Sequence, residues 1–513
     1  MQMTHTCGEL RPKNVGERVV ICGWVQYSRL SKFLLLRDAY GLAQCIVGCD
    51  NIDLSSLQLE SVVQIEGMVS IRPGDTVNPE MATEKVAFNL KNYQKPKEQL
   101  RMQHRYIDLR FPVMQNNLRT RSQMLHKMRR FLVENYGFIE VETPTLFCRT
   151  PGGAREFVVP TRHKGLFYSL VQSPQQFKQM LMSGGIDRYF QVARCYRDET
   201  TRPDRQPEFT QLDIELSFTT LEGVLTLIEE MLYDTFTKPL PRPPFNRITY
   251  KEALENYGSD KPNLLYDLKF INIKHLFDKK ENDNFGAFLL PYPSEMGKLT
   301  TKYKEKEYSS EIQERIQDAI GQNRAAIISI SEDTENACLC SGEIKEIIIS
   351  VLKSKELLKV NDNVAPLWLI DFPLFVKGDD GLQPCHHPFT APHPDDLHLL
   401  ETDPLKVRSL AYDLVMNGNE IGGGSVRIHS PHLQVKIMNM LNIDPEKLRH
   451  FVNALSSGCP PHAGIALGID RLIAIACDAE SIRDVIAFPK SHDGRDPLSG
   501  QQSGNRGKLP QMG

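Results

Sequence analysis

Between Arg188 and Glu215 the chain reads RYFQVARCYRDETTRPDRQPEFTQLDIE, two alternating runs joined by a turn crowded with arginines and carboxylates. Side chains alternate along a strand. EFTQLDIELSF therefore sends Thr210, Leu212, Ile214, Leu216 and Phe218 to one face and Gln211, Asp213 and Glu215 to the other. One face is core, and the other is a floor of acids and an amide. Arg197 leaves at the tip of the first run, and the loop adds Asp198, Glu199, Arg202, Arg205 and Gln206. Charge alone reads equally well as a solvated edge hairpin. Polar faces that recur elsewhere in the chain favour a binding surface.

In VQSPQQFKQMLMSGG, Ser173 is expected to cap a helix, with Pro174 at its first position and Gln176 closing a capping box. Gln175 and Lys178 then share a face near the positive helix end, where a carboxylate is welcome. In AYDLVMNGNEIGGGSVRIH, Asn417-Gly418 signals a hairpin that brings Asp413 and Glu420 to one face. Two carboxylates plus substrate phosphates suit Mg²⁺, although a solvated hairpin is the plain alternative. Gly422, Gly423 and Gly424 clear side chains where a backbone or ligand must approach, and Arg427 follows them.

In PPHAGIALGIDRLIAIAC a strand ends at Gly468, and Arg471 sits in the first turn of the next helix. A cation there opposes the helix dipole, and a bound polyphosphate would justify it. CHHPFTAPH offers Cys385, His386, His387 and His393 at no standard metal spacing, so hydrogen-bonding loop histidines are the simpler reading. The chain has neither GxxxxGK[ST] nor GxGxxG, so phosphates must be gripped by arginine forks on a sheet. Arginines for phosphates, acids for magnesium and an amine, and Lys/Arg for a carboxylate fit an amino acid beside a nucleoside triphosphate.

These residues need a scaffold, and the composition permits one. Of 513 residues, 24% are charged and 41% hydrophobic, as in a soluble protein of several domains. A net charge of −3 does not advertise a nucleic-acid binder, so that role must rest on local patches. No apolar run approaches the ~18 residues of a membrane span. The eleven cysteines are scattered, and the close pairs Cys45/Cys49 and Cys338/Cys340 lack matching second pairs, which favours a reducing compartment. MQMTHTCGELRPKNVGERVVICGWV shows neither an apolar signal core nor an Arg/Ser-rich presequence.

Short strand runs separated by turns, RVVICGWV to VAFNLKNYQ, predict a small closed barrel over residues 1–95, of OB type in preference to SH3-like. A basic hinge over 96–117 is expected to be solvated, or else to face a phosphate backbone. Leu118, Arg121, Leu125, Met128 and Leu132 keep helical spacing up to Gly137, and FIEVETPTL follows as a strand stopped by Pro144. The alternating stretches predict an antiparallel sheet in a catalytic domain split into 118–267 and 364–490. An α+β insertion over 268–363 separates the halves, and a polar tail over 491–513 is expected to be disordered. The fold class is α+β.

FIEVETPTL, RCYRDE with RQPEFTQLDIE, and GIALGIDRLIAI resemble the three signature motifs of class II aminoacyl-tRNA synthetases. QSPQQFKQMLM, HHPFT and NEIGGGSVRIH narrow the resemblance to the bacterial and mitochondrial aspartyl group, and it covers essentially the whole chain. It implies an antiparallel catalytic sheet flanked by helices, behind an anticodon-binding barrel. It also implies aspartate held by Gln175, Lys178, Arg197, Asp213, His386 and Arg427. ATP would meet Arg197, Asp198, Glu199, Gln206, Glu420, Gly468, Ile469, Asp470 and Arg471, with Mg²⁺ on Asp413 and Glu420. Arg197, Arg471 and Lys178 carry catalysis in that scheme, while Phe33 and Gln44 stack on and read anticodon bases.

The implied reaction joins L-aspartate to ATP as an adenylate and passes it to tRNA-Asp. The implied assembly is a homodimer without membrane attachment, in the mitochondrial matrix or otherwise the cytoplasm. Thr150, Pro151, Gly152, Gly153 and Ala154 replace the Thr-Pro-Glu-Gly-Ala of bacterial members, which removes one acid from the amine site and resembles animal mitochondrial forms. The loop between Trp24 and Phe33 has fewer charges than in bacterial members, and the insertion is shorter. An asparaginyl-type or non-discriminating synthetase, a tRNA-independent ligase on the same fold, and a catalytically inactive RNA-binding paralogue remain as alternatives.

Overall fold

The structure, a computed structural model, describes residues 3–29, 32–47, 57–70, 97–149, 154–266, 268–273, 286–293, 324–331, 334–354, 364–379 and 381–499. The chain divides into two compact units, Met1–Asn116 and Asn117–Asp496.

In the first unit, strands β1 (Arg18–Arg29), β2 (Phe33–Arg37), β3 (Leu42–Ile46) and β4 (Val62–Met68) form one antiparallel sheet in the order β3-β2-β1-β4. Alternation sends Val19, Ile21, Val25, Leu34, Leu36 and Ala43 to a buried face. The opposite face carries Tyr27 across from Leu35, Arg29 across from Phe33, and Gln44 and Ile46 across from Leu35 and Phe33. Tyr27 and Ile46 are 55% and 66% exposed there. These strands make a half-barrel, and the expected fifth run at 86–94 lies outside the described residues. The basic hinge is less solvated than expected. It forms helices Glu98–Gln103 and Arg105–Asp108, in which buried Asp108 gathers Arg101 at 2.7 Å and Arg105 at 2.5 Å. Part of its positive charge is therefore neutralised internally.

The second unit is built on β5 (Ile139–Glu140), β6 (Arg188–Tyr196), β7 (Glu208–Ser217), β8 (Asn246–Thr249), β9 (Pro366–Ile370), β10 (Ala411–Met416), β11 (Asn419–Val426) and β12 (His462–Gly468). Their order is β8-β9-β10-β11-β12-β7-β6-β5. The six inner strands are antiparallel, but both edge pairs, β8/β9 and β5/β6, are parallel, so the expected antiparallel sheet is mixed at its margins. One face is closed by helix Leu221–Thr235, capped by the Thr220 hydroxyl, with Val224, Leu225, Ile228, Met231 and Leu232 buried. Trp368 packs in this core, and its indole N–H donates to Glu229 at 2.9 Å, which satisfies both buried polar groups.

Helix Pro112–Arg130 runs into a wider π-type turn over Phe131–Asn135 and ends at Gly137, whose φ of +66° favours glycine. FIEVETPTL supplies only the two-residue edge strand β5 before the chain leaves the sheet ahead of Pro144. Phe218 does not join the core face of β7. The backbone turns at φ +55°, and the ring is 79% exposed.

The insertion pairs strands Ile271–Asn272, Gly286–Pro293 and Arg324–Ser331 and covers them with helix Thr334–Ser354. Phe270, Phe288, Leu290, Ile344, Ile348 and Leu352 fill its core, and residues 302–320 lie outside the described residues. Gly258, which ends helix Tyr250–Tyr257 at φ +66°, abuts Gly342 of the insertion helix. A Cβ on Gly342 would fall 2.0 Å from the Gly258 carbonyl oxygen. Beside this contact, buried Lys345 donates to the Tyr257 carbonyl at 3.5 Å, with its ammonium 4.9 Å from the Tyr257 ring and 5.8 Å from the Phe270 ring.

Burial pushes the Lys345 ammonium down to about 8, with Glu346 opposing. A lysine depressed in the folded state costs stability below that value, and the cost fades as pH rises towards the unfolded lysine range. Lys345→Met is therefore expected to be more stable than the parent at about pH 7, by about 3 kcal/mol at most. Guanidinium denaturation should show the gap closing as pH approaches about 10. Among the described residues no helix is long and apolar enough to cross a membrane.

Candidate active site

Helix Gln175–Ser183 lies against β7 and delivers Lys178 to the acids that β7 presents. Lys178 is 1% exposed, with Nζ 3.1 Å from Asp213 Oδ1 and 3.2 Å from Glu215 Oε2. Arg427 meets Glu215 from the other side with Nε at 3.0 Å and Nη2 at 3.3 Å, and also donates to Ser425 Oγ and the Gly464 carbonyl. Two cations and two carboxylates thus neutralise one another out of water, where an unpaired member would be costly.

The two acids differ. Burial raises Asp213 despite Lys178, whereas Arg427 and Lys178 outweigh burial at Glu215 and hold its carboxyl below the usual value. Asp213 Oδ2 is left without a partner among the described residues. Room for Glu215 comes from Gly464 of β12, where a Cβ would sit 2.1 Å from Glu215 Oε2.

A cavity of about 260 Å³ is lined by Gln172, Gln175, Arg197, His386, His387 and Phe147 among others, and Gln175 lies on the same helix as Lys178. Arg197 leaves β6 at its tip and lies 5.1 Å from the Phe209 ring. Its buried Nε and the buried Gln175 Nε2 have no partner among the described residues, so both donors await an acceptor. Helix Gln175–Ser183 is not capped as expected. Pro174 takes the N-cap position, no side chain caps it, and the Gln176 amide oxygen instead pairs with His450 Nε2 at 2.9 Å. Gln175 and Lys178 still share a buried face. Thr150, Pro151, Gly152 and Gly153 lie outside the described residues.

Asn417 and Gly418, both at positive φ, turn β10 into β11 as their sequence demands. Asp413 pairs across with Gly423, and Glu420 with Val415, on either side of a bulge. Asp413 Oδ2 lies 3.3 Å from His386 Nε2. Burial opposes a proton on that imidazole, yet Asp413 holds it well above its usual value. The other oxygen, Oδ1, is buried without a partner among the described residues. Glu420 Oε2 is 3.5 Å from Lys261 Nζ and 4.0 Å from Arg471 Nη1.

Of the glycine run, Gly422 and Gly424 admit protein and not ligand. Their missing side chains make room for Ala466 and Leu467 and for Gly464 and the Tyr412 ring. Gly423 serves the site, because a Cβ there would fall 2.6 Å from Asp413 Oδ1. Gly423→Ala is expected to displace that carboxylate and to cost about 1–3 kcal/mol of stability. Thermal melts and titration with a divalent cation would measure both effects.

The remaining sequence-predicted residues divide. Arg471 bridges Asp204 (Nη2 to Oδ2, 3.2 Å; Nε to the carbonyl, 3.3 Å) and the Glu420 carbonyl (2.9 Å), so it frames the loop end of the site. Asp198 and Glu199 pair with Arg155 and Arg205. Gln206 is committed at both ends of its amide to the Lys490 backbone, accepting its N–H at 2.7 Å and donating to its carbonyl at 3.2 Å. Asp470 is a strut and not an open ligand. It accepts from Arg121 at 2.5 Å and from the Thr210 N–H at 3.0 Å. Ile469 is core, and Gly468 caps the helix Ile469–Ala476.

The tail departs from expectation as well. Ser491 accepts a bond from Thr201, Lys490 pairs with Glu208 at 3.2 Å, and the Ser491 hydroxyl accepts the Arg495 N–H at 3.1 Å. The segment through Ser499 is described, so its first part is held against the loop of β6 and β7. Sequence reasoning missed Gly464, whose signal was its place in HAGIALG opposite the acid strand. It also missed Lys261, for which no local signal exists.

Residues 97–492 match the family model for class II tRNA synthetases (D, K and N). The chain belongs to this family. Among similar class II synthetases are the mitochondrial aspartate–tRNA ligases of Rattus norvegicus, 44% identical over 97% of this chain and 87% of the relative, and of Homo sapiens, 44% identical over 97% and 88%. The aspartate–tRNA(Asp/Asn) ligase of Dictyoglomus turgidum is 38% identical over 98% and 96%. The fold matches the asparaginyl-tRNA synthetase of Pyrococcus horikoshii complexed with asparaginyl-adenylate, with a TM-score of 0.61 at 20% identity over 96% of this chain and 99% of that one.

Synthetases of this class imply a divalent cation, and the donor set suits one. Asp413 offers an orphaned carboxylate oxygen, and burial with Glu420 and Asp260 nearby raises its affinity for protons. Among the described residues no cluster of three His, Cys, Asp or Glu placed to hold a metal ion is found.

Proposed function

We propose that this chain is an aspartate–tRNA ligase of mitochondria: it condenses L-aspartate with ATP to aspartyl-adenylate, releasing pyrophosphate, and transfers the aspartyl group to the terminal adenosine of tRNA-Asp. The observation that carries this reading is the cavity lined by Arg197 and Gln175, each with a buried donor unpartnered among the described residues, together with the Lys178–Asp213–Glu215–Arg427 array to which the Gln175 helix contributes. The names and identities of the relatives support the choice of aspartate and of compartment.

In this reading the aspartate side-chain carboxylate is received by Lys178 and Arg427. Its amino group is held by Asp213, and Gln175 and His386 fix its orientation. The α-carboxylate then attacks the α-phosphorus in line, and Arg197 donates to the phosphate oxygens as charge gathers there. Arg471, framed by Asp204 and Glu420, receives the outer phosphates, beside Asp198, Glu199 and Gln206. Asp413 and Glu420 would hold Mg²⁺, which neutralises phosphate charge when bound. No protein nucleophile is needed.

On the first unit, Phe33 and Gln44 share the open face with Tyr27 and Arg29, a stacking platform for an unpaired anticodon. Exposed Val133 and Ile139, near the sheet edge β5, suit burial against a second copy in a homodimer. Aspartate-dependent ATP–pyrophosphate exchange, followed by charging of transcript tRNA-Asp, tests the proposal. Exchange supported by asparagine and not aspartate would overturn it.

A further inference from the structure

Lys261 stands outside every motif quoted above, in the segment 258–266 that follows helix Tyr250–Tyr257. That segment is held along its length. Gly258 is wedged against Cys338 and Gly342 of the insertion. The Lys261 N–H donates to Ser259 Oγ at 3.0 Å, and Asn263 accepts the Leu265 N–H at 3.0 Å. The Asn263 side chain packs beside the hairpin turn, where a Cβ on Gly418 would lie 3.2 Å from the Asn263 Cβ.

A well-anchored loop therefore brings the Lys261 ammonium to Glu420. Its Nζ is 3.5 Å from Glu420 Oε2 and 3.8 Å from Asp260, and the side chain is 37% exposed. A separation of 3.5 Å is an ion pair too loose for a good hydrogen bond. Arg471, the other cation near Glu420, is fixed by bonds to Asp204 and to the Glu420 carbonyl. Among the described residues Lys261 has no comparable side-chain anchor, and its four-carbon stem can swing.

We propose that Lys261 is a positioning residue that alternates between two anions. It neutralises Glu420 while no divalent cation is bound, and turns to the β- and γ-phosphate oxygens of ATP once the cation takes the carboxylate. The inference rests on the proposed ATP-dependent function. Its physical basis is mutual exclusion: a doubly charged ion on Glu420 repels the ammonium as the triphosphate brings new negative charge within reach. Lys261 therefore opposes the cation in the free protein and cooperates with it in the nucleotide complex.

The test compares the full chain with Lys261→Met and Lys261→Arg. Mn²⁺ alone, followed by electron paramagnetic resonance, is expected to bind Lys261→Met about threefold more tightly than the parent. In pyrophosphate exchange the same variant is expected to raise the KM for ATP about tenfold, leave the KM for aspartate unchanged, and recover with arginine. These shifts have opposite signs, which a merely structural role would not produce. Weakening of both Mn²⁺ and ATP, or an unchanged KM for ATP, would overturn the proposal. Absence of exchange in the parent would instead overturn the proposed function, while the Mn²⁺ titration would still report on the Lys261–Glu420 contact.

Discussion

Arg197→Ala should lower aspartyl-adenylate formation about 10³-fold, with the fold intact. Its Nε is buried and unpartnered among the described residues, and the side chain lines the cavity with Gln175 and His386. A donor held unsatisfied in the free protein has its bond to make when charge develops on the substrate, so its loss falls on the transition state. The guanidinium also rests on the ring of Phe209, a contact that alanine removes. Pyrophosphate exchange is the direct measure, and circular dichroism and melting separate chemistry from folding. Exchange within tenfold of the parent, on a folded variant, would remove Arg197 from its assigned place.

Lys178→Met should act on both stability and selectivity. Removing the ammonium leaves Asp213 without its cation and Glu215 with Arg427 alone, all of them buried. Breaking one partner out of a buried pair costs about 3–5 kcal/mol. Adding Asp213→Asn should restore part of that loss, because the amide removes the orphaned charge. Selectivity should fall too. A neutral asparagine amide would turn its NH₂ donor towards both Lys178 and Arg427 in the parent and towards Arg427 alone in the variant, so the aspartate/asparagine ratio in exchange is expected to drop about 10²-fold. A ratio that holds while stability falls would confine Lys178 to the fold.

The sequence made the strands of this site readable because strand alternation is a local rule. Asp213 and Glu215 had to share a face once Leu212 and Ile214 were core, and Asn417-Gly418 had to turn because both positions need positive φ. Who pairs with those acids was not local. Lys178 stands 35 positions before Asp213, and Arg427 stands 212 after Glu215, so the strand order β11-β12-β7 is needed to bring Arg427 in and the packing of helix Gln175–Ser183 on β7 to bring Lys178. Read in isolation, Lys178 gave no sign of a protein partner, whereas the fold shares it between two carboxylates.

Other misreadings follow the same logic. Ser173 had a good capping composition, but Pro174 holds the N-cap geometry and Gln176 finds His450. Phe218 continued the alternation on paper, and a left-handed residue ended it. Asp470 looked available in a signature motif, yet it braces Arg121 and the β7 backbone. The polar tail seemed unable to build a core, and it needed none, since main-chain bonds to Thr201 and Gln206 hold its start.

Gly258 and Gly342 meet where neither could carry even a methyl group. Alanine at either position would act as a shim, levering the insertion outward, and the loop that starts at Gly258 would travel with it. A mutation outside the named site residues could then register as a fault in nucleotide handling. Variants there are better sorted by their ATP kinetics than by their distance from the chemistry.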